Sequence, residues 1–173
     1  MKKFITTFST ASLIILGFSF VGLNKAASEE PWKVICDNPK QMKTCLIRQQ
    51  LFLRKNIDGK EKMVGRVLSL TVIYGAQPPK KVRTPYLSVQ MPLGLDLRPG
   101  AVMRIDSGKE YRLEFLQCTT NGCDASIILD QNLIRALKMG NQLQVGFRPW
   151  GTDKTNVVPA SLSGFTKAFG RIK

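Results

Sequence analysis

Apolar and polar residues alternate along much of this chain, and this two-residue period limits its fold more than any other feature. In the segment Glu110–Gln117, the side chains of Tyr111, Leu113 and Phe115 fall on one face of an extended strand. The same spacing recurs in three further sets: Leu87, Val89 and Met91; Leu143, Val145 and Phe147; Cys45, Ile47, Leu51 and Leu53. The segment Val64–Tyr74 is more uniformly apolar and β-branched, which is typical of a central strand.

Turn residues separate these strands. Asn56-Ile57-Asp58-Gly59 predicts a hairpin loop between two long strands. Further turns or loops are expected at Gly75–Pro85, Leu97–Gly100 and Ser107–Gly108. About eight strands at this short spacing predict an all-β fold, an antiparallel sandwich or barrel.

Two short helices complete the expected fold. Asp130 is suited to cap a helix that runs to about Met139, with Gly140 just past its end. Ser163 is suited to start a second helix, which carries Phe165, Ala168 and Phe169.

Four cysteines form two close pairs in the sequence. Eight residues separate Cys36 from Cys45 and four separate Cys118 from Cys123, and both gaps contain turn residues. A turn brings its flanking strand residues to within about 5 Å, a distance that suits a disulfide. We therefore expect the bonds Cys36–Cys45 and Cys118–Cys123. The alternative is a zinc ion held by all four cysteines, but the eight-residue gap is too long for the usual ligand spacing.

The first 28 residues have the layout of a secretory signal peptide. A basic start precedes an uncharged stretch from Phe4 to Leu23, and small residues follow at Ala26–Ser28. We expect cleavage after Ser28, with cleavage after Ala26 as the near alternative. An uncleaved membrane anchor is the other interpretation, because about 20 uncharged residues can span a bilayer. The expected organisation is a signal peptide at 1–28 and a single mature domain at 29–173.

The chain is strongly basic, with 26 Lys and Arg against 12 Asp and Glu and a formal net charge of +14. Removal of residues 1–28 leaves 23 basic and 12 acidic residues, a net charge of +11. An exported basic domain does not meet chromosomal DNA. We therefore expect an anionic partner at a host-cell surface or in the bacterial envelope and no nucleic acid. Peripheral association with a membrane fits the same charge.

The candidate residues for binding an anionic surface are Lys80, Lys81 and Arg83, which lie in a proline-flanked loop. A basic patch would form if three further cations joined them, namely Lys60, Lys62 and Arg66. The alternative is a solvated loop whose charges only keep the protein soluble.

Several other residues have a structural interpretation. We expect Trp32 and Trp150 to pack in the core or at its rim, with an exposed interface or a glycan-stacking role as the alternative. The alternation of Leu93, Leu95 and Leu97 predicts that all three are buried.

No motif for catalysis is present. The chain has no histidine, which excludes His-dependent triads and His-ligated metal sites. Asp106 and Glu110 flank a turn, where two carboxylates would suit work on a glycan, but residues that bracket a turn usually face solvent. We expect no catalytic residue, no bound metal and no cofactor.

Taken together, several stretches resemble the invasion-associated locus B family of exported bacterial proteins. Trp32 precedes the first cysteine, and Cys45-Leu46-Ile47 is followed by Gln49. The remaining stretches are Met91–Gly94, Leu97–Gly100, Arg104–Asp106, Phe115–Cys118, Gly122–Cys123 and Ser161–Thr166. Their order, which covers nearly all of residues 31–170, carries the resemblance.

The resemblance implies an immunoglobulin-like β-sandwich in a periplasmic or outer-membrane-associated protein of a Gram-negative bacterium. It also implies a link to host-cell invasion, notably of erythrocytes, and no enzymatic activity. The leading hypothesis is a non-enzymatic virulence factor that binds host cells. A periplasmic housekeeping module that binds an envelope partner is the alternative, and an enzyme acting on envelope glycans or lipids is the third hypothesis.

Overall fold

A computed structural model describes residues 31–38, 45–76 and 83–172 of the chain. Nine strands lie in these ranges: β1 (Lys33–Cys36), β2 (Cys45–Ile57), β3 (Lys60–Ala76), β4 (Arg83–Met91), β5 (Ala101–Ile105), β6 (Glu110–Thr119), β7 (Gly122–Ile128), β8 (Gln142–Phe147) and β9 (Asn156–Ser161). Two helices accompany them: α1 (Gln131–Met139) and α2 (Phe165–Gly170). The all-β class and the two short helices are confirmed. The expected signal peptide at 1–28 lies outside the described residues.

The strands form one curled antiparallel sheet with the order β1-β2-β3-β4-β7-β6-β5-β8-β9. Strand β6 joins the two halves, because Glu110–Leu113 pair with β5 and Glu114–Thr119 pair with β7. A bulge at Leu116 interrupts this strand. A strand that changes partners along its length lets a sheet turn a corner, as in a two-layered sandwich.

Buried apolar side chains from β2 through β9 and from both helices form one core. Alternation places them there, as in β4, where Leu87, Val89 and Met91 are buried. In α1, the Asp130 carboxylate caps the helix by accepting from the backbone N–H of Leu133 at 2.7 Å, as predicted.

Helix α2 begins two residues later than predicted. Its N-cap is Gly164 rather than Ser163, and Gly164 has a φ of 79°. This left-handed conformation favours glycine, so the backbone and not a side-chain cap sets the start of the helix. Phe165 and Phe169 of this helix stack at 5.6 Å and are fully buried.

The two ends of the strand order meet at Trp32, just before β1. Its indole Nε1 donates to the carbonyl oxygen of Ser161, the last residue of β9, at 3.0 Å. Its ring lies edge-on to Phe165, with centroids 5.1 Å apart. Trp32 is only 3% exposed, so the prediction that it packs in the core is confirmed. The curled sheet is therefore nearly closed on itself at this point.

Both predicted disulfides are present. The Cys36–Cys45 bond joins directly opposed residues of β1 and β2, and the Cys118–Cys123 bond does the same for β6 and β7. All four cysteines are used, so none is left for the alternative zinc site. Each bond fastens the end of one hairpin.

Candidate functional site

The hairpin of β2 and β3 extends well beyond the core. Every residue from 52 to 66 is exposed, and we call this segment the arm. At about 3.3 Å per residue its strands project by about 20 Å. Its tip is the predicted turn, where Asp58 (φ 54°) and Gly59 (φ 74°) both take the left-handed conformation of a two-residue hairpin loop. Leu53, which the alternation grouped with core residues, is 48% exposed because the core ends before it.

The two faces of the arm differ in charge. Lys55 pairs with Lys62 and Ile57 with Lys60, so these four side chains share one face. Leu53 lies on the same face by alternation. We call these five residues the basic face. The structure shows no acidic residue within ion-pair distance of its three lysines among the described residues. The opposite face carries an ion pair, with Arg54 and Glu61 3.2 Å apart.

The candidate loop residues lie elsewhere. Lys80 and Lys81 are outside the described residues. Arg83 is half-buried at the start of β4, and its guanidinium donates to the carbonyl oxygen of Tyr74 at 3.1 Å and lies 5.6 Å from the Tyr74 ring centroid. Burial raises the pKa of the Tyr74 hydroxyl, and the charge of Arg83 partly offsets that effect.

Among the described members of the wider basic patch, Arg83 does not lie with Lys60 and Lys62. Arg83 pairs with Ala76 at one end of β3, whereas Lys60 and Lys62 lie at the other end. Ala76 lies 14 positions after Lys62, a path of about 45 Å along the strand. The length of β3 separates these charges.

A polar groove of about 420 Å³ crosses the face of the sheet that points away from the core. We call it the outer groove. Two of the residues that line it, Arg48 and Arg66, are cationic. Other lining residues that could contact a ligand are Thr71, Tyr86, Ser88, Gln90, Leu116 and Asp124. The Arg48 Nε donates to the Thr71 hydroxyl at 3.2 Å. Arg66 donates to the side-chain oxygen of Gln90 and, at 3.2 Å, to the carbonyl of Asn121. Sequence patterning gave no signal for this groove, because its residues come from five strands.

A buried carboxylate organises the loop that follows β4. The Asp96 side chain is 5% exposed and accepts from Arg98 at 2.8 and 2.9 Å and from Arg148 at 2.6 Å. The hydrogen bond from Arg98 holds the pKa of Asp96 well below its usual range, with a further contribution from Arg148 and against the opposing effect of desolvation. The same pairing raises the pKa of Arg98.

This ion-pair cluster reverses the predicted burial of its neighbours. Leu93 is 54% exposed and Leu97 is 44% exposed, so the prediction that both are buried is wrong, and only Leu95 packs against the core. Asp96 points inward instead, because Arg148, the residue that follows β8, donates a hydrogen bond to its carboxylate. Trp150 is 68% exposed, with the Arg98 guanidinium 5.2 Å from its ring centroid. The expectation of core or rim packing is therefore wrong for Trp150.

Comparison with known proteins decides the family. The model of the family described as "Invasion associated locus B (IalB) protein" matches residues 32–173. This chain belongs to the IalB family. Two invasion protein B homologs of Brucella abortus, from strain 2308 and from biovar 1 strain 9-941, are each 30% identical to it over 146 residues. Each match covers 83% of this chain and 76% of the relative.

The crystal structure of invasion associated protein B from Bartonella henselae has the same fold. Its TM-score is 0.61 at 20% identity, and the match covers 83% of this chain and 92% of that chain. The IalB-family fold is therefore kept where most of the sequence has changed.

The two carboxylates that flank the Ser107–Gly108 turn in this IalB-family chain have a structural role or face solvent. Asp106 accepts from the backbone N–H groups of Asn141 and Gln142, at 2.9 to 3.2 Å, and so caps the turn before β8. Glu110 is exposed. Within the described residues, no group of three or more Cys, Asp or Glu is placed to hold a metal ion. No helix in that same part of the chain is long and apolar enough to cross a membrane.

Proposed function

We propose that this chain is a non-enzymatic exported protein of the bacterial envelope that promotes adhesion to or invasion of host cells, erythrocytes in particular. The observation that carries the proposal is the family match over residues 32–173. The names of the Brucella abortus homologs and of the Bartonella henselae structure, which refer to invasion, support it.

Export fits the covalent structure. Two disulfides are typical of proteins that fold in an oxidising compartment. Residues 1–28 act as the signal peptide in this proposal and leave residues 29–173 as the mature chain, in the periplasm or at the outer membrane of a Gram-negative bacterium.

The basic face of the arm is the part of the described structure best suited to meet an anionic surface. Its three lysines project from the body of the protein, and no carboxylate shares their face of the arm, since Glu61 lies on the opposite face. Leu53 and Ile57, 48% and 37% exposed, lie among them and suit shallow apolar contact. A lysine close to an anionic surface contributes about 1 kcal/mol to binding. On the opposite face Glu61 pairs with Arg54, so the three lysines of the basic face make it the more positive side of the arm.

The test is binding of the oxidised mature chain to erythrocytes at physiological and at high salt. We compare it with the triple variant Lys55→Gln, Lys60→Gln, Lys62→Gln. Loss of three lysines is expected to weaken binding by about 100-fold. High salt is expected to weaken binding of the unchanged chain. The distance over which exposed charges interact is about 8–10 Å at physiological salt and becomes shorter as the salt concentration rises.

The matched control removes the same charge from scattered positions. Lys109→Gln, Arg135→Gln, Lys154→Gln changes three exposed residues on three different elements. We expect this control variant to bind erythrocytes almost as tightly as the unchanged chain. Equal loss in both triple variants would mean that net charge alone drives binding. No binding above that of an unrelated domain of equal charge would favour the alternative, a periplasmic module that binds an envelope partner.

The loop cations remain candidates in this proposal. A third variant, Lys80→Gln, Lys81→Gln, tests them separately from the arm, since Arg83 marks the opposite end of β3. A larger loss there than in the arm variant would move the binding side to that loop.

A further inference from the structure

We propose that the outer groove binds an acidic sugar, a saccharide unit that carries one carboxylate. The inference deepens the proposed function, and it rests on that function for the source of the ligand, a host-cell surface. The groove has about 420 Å³ of space, within the range of small-molecule sites.

The two cations of the groove are bonded to residues that are diagonal neighbours in the sheet. Arg48 is bonded to Thr71, and Arg66 to Gln90. Thr71 lies opposite Ser88 on β4, and Gln90 follows two residues later on the same face. Diagonal neighbours of this kind have Cα atoms about 7–8 Å apart. A guanidinium has five N–H donors, so each arginine keeps donors for a carboxylate beyond the contacts described.

The floor between the cations suits hydroxyl groups. Thr71 and Ser88 offer side-chain hydroxyls, and Gln90 offers an amide, each able to donate and accept. Tyr86 and Leu116 add apolar surface at the rim, and Leu116 is 63% exposed because the bulge in β6 turns it outward. A sugar ring presents both hydroxyls and an apolar C–H face.

Asp124 limits the charge of the ligand. Its carboxylate lies across from Gln90 in the same row of the sheet and also lines the groove. It accepts hydrogen bonds from sugar hydroxyls but repels a second negative charge. The groove therefore fits a sugar with a single carboxylate better than a polyanion such as a highly sulfated chain.

The experiment is calorimetric titration of the oxidised mature chain with N-acetylneuraminic acid and with glucuronic acid. Titration runs to about 10 mM, which reaches a weak millimolar site. Saturable binding is expected for at least one of these acids. The methyl ester of the bound acid, which lacks the charge, is expected to bind at least about 10-fold more weakly.

Three variants assign the site. Arg48→Gln and Arg66→Gln are each expected to weaken binding by about 10-fold or more, because a hydrogen bond to a charged group is lost. Arg104→Gln is the control matched to Arg66, since Arg104 is likewise an exposed arginine that donates to a glutamine on the neighbouring strand, to Gln144 at 2.9 Å. It is expected to change binding by less than about 2-fold.

Four results would overturn the inference, and three of them concern the acids and the variants. The first is no saturable binding of either acid. The second is a methyl ester that binds as tightly as its acid, and the third is an Arg104→Gln variant that loses as much binding as the Arg48→Gln and Arg66→Gln variants. Inorganic phosphate that competes as well as the sugar would show a general anion site and also overturn it. The lysines of the arm are intact in all these variants. If no sugar binds but erythrocyte binding is retained, the proposed function therefore stands and the sugar site fails. If a sugar binds but erythrocytes do not, the sugar site stands and the proposed function fails.

Discussion

Replacement of Trp32 by alanine tests whether the closure of the curled sheet holds the fold together. The side chain is 3% exposed, bonds to Ser161 at 3.0 Å and meets Phe165 edge-on at 5.1 Å. Its loss removes the contact between the two ends of the strand order. The core there has few ways to collapse, because Phe165 and Phe169 are already fully buried.

The expected loss of stability is about 4 kcal/mol. Truncation of a buried Trp or Phe to alanine costs about 3–5 kcal/mol. Within that figure, the aromatic pair contributes about 0.5–1.5 kcal/mol. The hydrogen bond contributes about 1 kcal/mol, because the Ser161 carbonyl loses its donor. Trp32→Phe keeps a ring but removes the N–H, so we expect it to cost about 1–2 kcal/mol.

The assay is equilibrium unfolding in urea, followed by far-ultraviolet circular dichroism with the disulfides intact. Trp150→Ala is the control, since its side chain is 68% exposed and its main described contact is with Arg98. We expect that control to lose less than about 1 kcal/mol. A Trp32→Ala protein that unfolds within about 1 kcal/mol of the Trp150→Ala protein would refute the reasoning. The ends of the sheet would then contribute little to stability.

Three further predictions concern single features of the fold. Replacing both Cys118 and Cys123 by serine removes one disulfide, and we expect the free energy of unfolding to fall by about 2 kcal/mol for a loop of this length. Urea unfolding measures this loss, and an unchanged midpoint would contradict the prediction. Gly122→Ala is expected to be more damaging than Gly59→Ala. A Cβ at Gly122 would lie 2.2 Å from the carbonyl oxygen of Met91, whereas a Cβ at Gly59 meets nothing within 4 Å. Equal thermal midpoints for the two variants would show that the close contact relaxes freely. Because the pKa of Asp96 is lowered, its contribution to stability is fully present above the unfolded pKa of about 3.9 and is lost as pH falls through the lower folded value. Asp96→Asn should therefore flatten the acid limb of a stability–pH profile, and an unaltered limb would count against this role.

Features set by nearby residues were predicted well. The turn at Asp58 and Gly59, the Asp130 cap and the pairing of the cysteines each depend on a few residues close in sequence. Alternation also identified the strands, since a two-residue period is a local property.

Features set by distant partners were not predicted. Alternation alone would bury Leu93 and Leu97, but the position of Asp96 is decided by Arg148, which is 52 residues away. Leu53 continues the apolar face of β2, yet it lies on the arm, where no layer covers it. A sequence shows which face of a strand is apolar but not how far the covering layer extends.

The candidate binding residues show the same contrast between local features, which were predicted, and long-range features, which were not. The excess of basic residues was plain from composition, but their grouping depends on strand register. Register places Lys55, Lys60 and Lys62 together and sends Arg83 to the other end of β3. The outer groove needs five strands in place before its two arginines share one surface.

The contact between Trp32 and Ser161 has a consequence for the timing of folding. These residues are 129 positions apart, so the contact cannot form until nearly the whole described chain is available. A chain threaded through a membrane from its amino end, as we propose for this one, therefore cannot complete its fold while its last strand is still on the other side. Loop closure over such a distance is slow compared with forming a local hairpin. For a chain exported as we propose, this last contact would therefore form only in the compartment of arrival.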